Sequence, residues 1–287
     1  MKKLLASGCS WTDADFVSHL EFLPDEKRGG WPMWPEIIGK ELGLEVINSA
    51  KQGRGNQYIG QSIIDNIIEY GDQVELVTIM WTQVDRVDIY NSTQIPILQM
   101  MAKNDPTQKV LAEMLACNID HLTTIPFEWG MREWRRHDIY NTWNTTSLRM
   151  MYIIAEMCAH RNIKCVFDQG LIFWWHKEAA SIKKHIDQEM YITEEDYLVL
   201  LETNVLYQRL MKDYSHLFIK PKALLNPKDT VAYGFHERDD LKVYMPGYLQ
   251  TGNLVSDYNS TDCDAHPNVE GQELISKRFM ECLKKYY

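Results

Sequence analysis

No apolar run in this chain approaches the roughly 20 residues that a membrane-spanning helix requires, so no membrane partner is expected. A basic excess is missing too: 30 Lys and Arg stand against 40 Asp and Glu, a formal net charge of −10. Nucleic-acid binding draws on a basic face that neutralises phosphates, and this balance argues against such a partner. Cysteine is sparse, with six residues and no C-x-x-C pair, which excludes a disulfide scaffold and the common zinc modules. The nine histidines are scattered, with no H-x-x-H or His/Cys cluster, so neither a metal nor a cofactor is expected. Internal repeats, low-complexity tracts and Pro/Gly/Ser-rich linkers are all lacking. The 287 residues are therefore read as one domain, 1–287. The opening stretch, Met1 to Ser10, holds two lysines and an apolar segment shorter than the roughly 7–15 residues of a signal-peptide core. It reads as a first buried strand, and the thiols read as reduced in a cytoplasmic setting.

What is present is a regular alternation. Lys2–Gly8, Leu44–Ala50, Val74–Trp81 and Ile163–Asp168 are short apolar runs of the kind buried on both faces of a parallel sheet. Between them, Pro32–Leu42, Gln57–Tyr70 and Ser147–Arg161 carry helical stripes, among them Ile59, Ile63, Ile64, Ile67 and Ile68. Asn268–Leu283 is the closing helix. The order β-α-β-α-β, α-β and a last helix predicts a parallel sheet covered on both sides. Insertions at about 91–144 and 170–260 interrupt it, with a helix expected over Glu194–Tyr214.

Ligands of open parallel sheets sit outside the carboxyl ends of the strands. The segments that follow the strands are Gly8-Cys9-Ser10-Trp11-Thr12, the stretch Asn48–Asn56 with Gly53 and Gly55, and Trp81-Thr82-Gln83 with Arg86 close behind. Asp262-Cys263-Asp264-Ala265-His266-Pro267-Asn268 precedes the last helix. A hydroxyl, glycine-rich backbone, a side-chain amide and an Asp/His pair are the parts of an acyl-transfer site: nucleophile, oxyanion donors, base and orienting carboxylate.

On these residues the chain resembles the SGNH/GDSL hydrolases, a flavodoxin-like family of esterases, lipases and carbohydrate deacetylases. Gly8-Cys9-Ser10 matches the Gly-Asp-Ser block with Cys9 in place of the Asp. Gly53 matches the second-block glycine, and Asp264-Ala265-His266-Pro267-Asn268 matches the final block with Asp-x-His spacing instead of Asp-x-x-His. Both departures are similar to a branch found in bacteriophage genomes, whose third strand ends in Trp-Ser/Thr-x-x-x-Arg, as Trp81, Thr82 and Arg86 do here. The third block, Gly-x-Asn-Asp, has no direct counterpart. Strand alignment puts Gln83 at the Asn position, and Asn56 is the rival donor.

The resemblance implies a three-layer α/β/α sandwich around a parallel central sheet. It also implies a serine esterase acting on a small acyl ester, with O-acetyl groups of a carbohydrate among the substrates. Ser10 is then the nucleophile, His266 the base and Asp264 its partner, with Asp262 as the alternative. The N–H groups of Ser10 and Gly53, with Gln83 or Asn56, form the oxyanion hole. An acyltransferase would use the same parts. The reading from a different class is a non-catalytic structural or glycan-binding component of a phage particle, which would place the protein in a virion instead of a host cytoplasm. Each feature also has a plainer reading. Serines after strands usually cap turns, Arg86 reads as pairing with Asp85, Asp88 or Asp13, and Trp81 reads as packing. Trp129, Trp134, Trp174 and Trp175 read as core or interface before glycan platform. Cys9 is the rival nucleophile, but neighbouring side chains at a strand end point to opposite faces and the family register selects Ser10.

Overall fold

In a computed structural model of the chain, the described residues are 1–17, 29–84, 86–90, 122–125, 136–171, 194–226, 229–231 and 266–286. Four strands, β1 (Lys3–Ser7), β2 (Glu45–Asn48), β3 (Val74–Trp81) and β6 (Lys164–Gln169), form one parallel sheet in the order β2-β1-β3-β6. Leu5 lies between Ile47 on β2 and Val77 on β3, and Met80 and Trp81 pair with Asp168 and Gln169. These strands lie within a residue or two of the apolar runs that predicted them.

The layering follows from handedness. Parallel crossovers are right-handed. The step from β1 to β2 runs one way along the sheet, and the steps to β3 and then β6 run the other. Helix α1 (Trp34–Leu42) therefore lies on one face, and α2 (Asn56–Tyr70) and α3 (Arg136–Arg161) on the opposite one. Alternate strand residues feed two cores. Leu4, Ala6, Leu76, Met80 and Val166 pack with Trp34, Ile38, Ile275 and Phe279. Leu5, Val77, Ile79, Cys165 and Phe167 pack with Ile59, Ile63, Ile67, Leu148, Met151 and Ile154. The last helix, α6 (Val269–Tyr286), lies beside α1. This is the expected three-layer α/β/α arrangement. Among the described residues no helix is long and apolar enough to cross a membrane.

Several boundaries differ from expectation, each for a local reason. Helix α3 begins at Arg136, eleven positions before the apolar stripe does, because the sequence 136–146 carries no apolar period from which a helix can be read. The helix expected over 194–214 is two, α4 (Glu194–Glu202) and α5 (Val205–Tyr214). It is divided where Asn204 caps α5, its Oδ1 accepting from the N–H groups of Leu206 and Tyr207. An antiparallel pair, β4 (Val87–Tyr90) with β5 (Leu122–Ile125), was not anticipated. On α2 the buried face is Ile59, Ile63 and Ile67, whereas Ile68 is exposed.

Helices α2 and α3 touch through Gly60. A Cβ there would lie 2.7 Å from Met150 Cβ and 2.9 Å from its Cγ. Gly60→Ala gains about 1 kcal/mol of helix propensity. It also forces an overpacking that costs about 1–3 kcal/mol. A net loss of stability of up to about 2 kcal/mol is expected in urea denaturation, and a raised midpoint would contradict this contact.

Candidate active site

The strand order reverses between β1 and β3, the position where a crevice opens at the carboxyl ends of a doubly wound sheet. The chain leaving β1 turns at once. Gly8 is required there, since a Cβ would sit 2.2 Å from Thr12 Oγ1. The N–H groups of Thr12 and Asp13 both reach the Cys9 carbonyl, at 2.9 and 3.2 Å, and the turn holds Ser10 at the strand end. Cys9 is buried among Leu4, Ala6 and Trp34, so its thiol faces the core and does not compete with Ser10.

Ser10 Oγ and His266 Nε2 lie 2.7 Å apart although 256 positions separate them in the chain. His266 stands just before α6. Asn268 caps that helix, its Oδ1 accepting from Gly271 N–H at 3.1 Å. The imidazole is half-buried and stacks on Phe16, with ring centroids 4.1 Å apart. With Nε2 unprotonated, the Ser10 hydroxyl donates to it, the arrangement in which a histidine can take the proton of an attacking serine. Asp262 and Asp264 lie outside the described residues, as do Trp129, Trp134, Trp174 and Trp175.

The loop after β2 is held against the Ser10 turn by Asp13, which sequence reading assigned no such part. Its Oδ2 accepts from Gln52 N–H at 2.7 Å and its Oδ1 from Asp15 N–H at 3.0 Å. Lys51 adds an exposed ion pair with Asp15 at 3.0 Å. Asn48, at the end of β2, donates to the Thr12 carbonyl and to Glu36, at 2.8 and 3.0 Å. Burial raises the Glu36 carboxyl above its ordinary value, and the Asn48 bond partly opposes this. Gly53 follows Gln52 with φ +76° and open space where a Cβ would stand, so its requirement is conformational and not steric. Among the described residues nothing accepts the N–H of Gly53 or of Ser10.

The two candidate side-chain amides behave differently. Asn56 donates through Nδ2 to the Thr82 carbonyl at 3.0 Å and to Ser147 Oγ at 3.2 Å, while its Oδ1 accepts from Thr82 N–H at 2.9 Å. Its amide is occupied in holding the chain beyond β3, which removes it as a free oxyanion donor. Gln169 adds a second bond to the same Thr82 carbonyl, at 2.9 Å. Gln83 is buried and accepts through Oε1 from Arg86 Nε at 3.3 Å. A guanidinium can only donate, so this bond fixes which end of the amide is oxygen and leaves Nε2 as the available donor. Arg86 therefore orients Gln83. The carboxylates suggested for it are employed otherwise: Asp13 as above, and Asp88 at the start of α2, where it accepts from Gly55 N–H and Tyr58 N–H at 2.9 and 2.8 Å. Asp85 lies outside the described residues. Trp81 is fully buried, edge-on to Phe167, and packs the core as expected.

No family model and no curated protein matches the chain. Among solved structures, LAE5, an alpha/beta hydrolase enzyme from the metagenome of Lake Arreo, Spain, is similar over 98% of this chain and 94% of its own, at 12% identity and TM-score 0.44. Axe2, an acetyl-xylooligosaccharide esterase from Geobacillus stearothermophilus, is similar over 98% and 93%, at 13% identity and TM-score 0.42. A protein from Desulfitobacterium hafniense described as lipolytic and of the G-D-S-L family is similar over 98% and 99%, at 12% identity and TM-score 0.43.

Proposed function

We propose that the protein is a serine ester hydrolase of the SGNH/GDSL kind, acting on a small acyl ester such as an O-acetyl group on a carbohydrate. The observation that carries this reading is the 2.7 Å contact between Ser10 Oγ and His266 Nε2 at the carboxyl end of β1. His266 takes the hydroxyl proton as Ser10 attacks the ester carbonyl, and then returns it to the departing alcohol. Water, activated by the same imidazole, releases the acid from the acyl-serine. The N–H groups of Ser10 and Gly53 and the Nε2 of Gln83 receive the charge that develops on the carbonyl oxygen. Asp264 takes the part of the carboxylate that holds the imidazole tautomer. The N–H groups of Ser10 and Gly53, which nothing accepts among the described residues, and the bond from Arg86 to Gln83 support these assignments.

A fluorophosphonate probe tests the proposal, because it reacts only with an activated serine. Incubation of the full chain should place one label on the peptide containing Ser10, and p-nitrophenyl acetate should be hydrolysed. No label, together with no hydrolysis of short acyl esters or acetylated glycans, would overturn the reading in favour of a non-catalytic scaffold.

A further inference from the structure

Gln272 is completely buried on the first turns of α6, an unusual place for a glutamine unless both ends of its amide are satisfied. Both are. Oε1 accepts from the N–H of Trp34 at 3.1 Å, and Nε2 donates to the carbonyl of Trp11 at 3.3 Å. A backbone N–H can only donate and a carbonyl can only accept, so the orientation of the amide is dictated by its partners. Trp34 is the first residue of α1, whose N-cap, Met33, offers no side-chain bond, and Gln272 satisfies one of that helix's open N–H groups. Trp11 is the residue immediately after Ser10.

Two segments therefore meet at two points. The chain 10–11 touches the chain 266–272 once through Ser10 Oγ and His266 Nε2, and once through the Trp11 carbonyl and Gln272 Nε2. One peptide unit joins the contacts on one side, and the first turn of α6 with its cap joins them on the other. Such a closed circuit lets the second contact set the distance and angle of the first. Trp34 reinforces it: the indole Nε1 donates to Thr12 Oγ1 at 3.2 Å, and the ring stacks on Phe279 of α6 at 4.2 Å with an interplanar angle of 2°.

We infer that Gln272 is a positioning residue for the hydrolytic reaction: by tying the Trp11 carbonyl to α6 it holds Ser10 and His266 in register for proton transfer. The inference rests on the serine-hydrolase reading above. It does not follow from burial alone, since a residue that only glued α6 to α1 would need the Trp34 bond and not the one to Trp11. Misplacement of reacting groups by about 1 Å can cost about 100-fold in rate.

The test compares Gln272→Met, which keeps the bulk and loses both bonds, with Gln272→Glu, which keeps an acceptor for Trp34 N–H but sets a carboxylate against the Trp11 carbonyl. Both are measured below their melting temperatures, for ester hydrolysis, fluorophosphonate labelling rate and the His266 Nε2 resonance by NMR. Ile275→Val, a core change on the same helix, serves as the stability control. In both Gln272 variants, kcat and labelling rate should fall by about 10–100-fold with KM within about two-fold. The His266 resonance should move as it does in Ser10→Ala, and Ile275→Val should keep the parent kcat. Lower melting temperatures with unchanged kcat and labelling would overturn the inference and leave Gln272 as glue. A parent that neither reacts nor labels would overturn the hydrolase reading instead. In that case an unmoved His266 resonance in Gln272→Met overturns the positioning role without reference to activity. Should Gln272→Met fail to fold, Gln272→Glu carries the same readouts.

Discussion

Replacing Ser10 by alanine should lower hydrolysis of p-nitrophenyl acetate by roughly four orders of magnitude or more and abolish fluorophosphonate labelling, while the melting curve hardly moves. The reason lies in what the hydroxyl touches. Its hydrogen bond is to His266 Nε2, at a loop where the backbone turn is closed by Thr12 and Asp13 onto the Cys9 carbonyl and not by the serine side chain. Loss of that one bond costs about 0.5–1.5 kcal/mol. Loss of a nucleophile removes the covalent route altogether, leaving only what binding and oxyanion donors supply. The two quantities separate the readings. A drop in stability with no change in rate would mean that Ser10 is a structural serine, and unchanged hydrolysis in Ser10→Ala would end the serine mechanism.

The largest effect on stability is expected at Arg278, on the helix that follows His266. Its Nε and NH2 reach the two oxygens of Asp168 at 2.5 and 2.9 Å, and NH2 also donates to the Asp229 carbonyl at 3.0 Å. The Asp168 side chain, near the end of β6, has no exposed surface. Arg278→Met leaves that carboxylate buried without its cation, which costs about 3–5 kcal/mol. Asp168→Asn should cost less, because the freed guanidinium is 25% exposed and can turn to water. The pH dependence fixes the sign. Burial raises the Asp168 carboxyl above its ordinary value, and Arg278 opposes that rise without cancelling it. A carboxyl raised on folding binds its proton more readily in the native state. Its contribution to stability is therefore fullest below the unfolded value and is lost as pH climbs through the folded one. In Arg278→Met the opposing cation is gone, so the rise is larger. Urea denaturation should show the deficit of the variant greatest at neutral pH and shrinking on acidification. A deficit that stays the same between neutral and acidic pH would mean that Arg278 does not act on the Asp168 charge.

The parallel strands and most of the helices were legible because burial on both faces of a sheet and on one face of a helix leaves period and composition in the chain itself. Ser10, Gly53, Gln83 and His266 were legible as candidates because each stands where a strand ends or the last helix begins. Their distances were not legible. Nothing local says that positions 256 apart meet at 2.7 Å. Nor does anything local say that Asn56 spends its amide on Thr82 while Arg86 engages the oxygen of Gln83 and leaves its nitrogen available. The parts played by Asp13, Asp88 and Gln272 were not legible for the same reason: a lone carboxylate or amide bonded to a distant backbone N–H has no periodic signature. The β4–β5 pairing joins segments far apart in sequence and was equally invisible. By itself the sequence determined the alternation of elements and the strand ends that carry hydroxyl, glycine, amide and imidazole, because these depend on local hydrophobic period and turn chemistry. The tertiary structure alone decided which polar group each of them meets, because those partners are brought together only when the two cores close on the sheet.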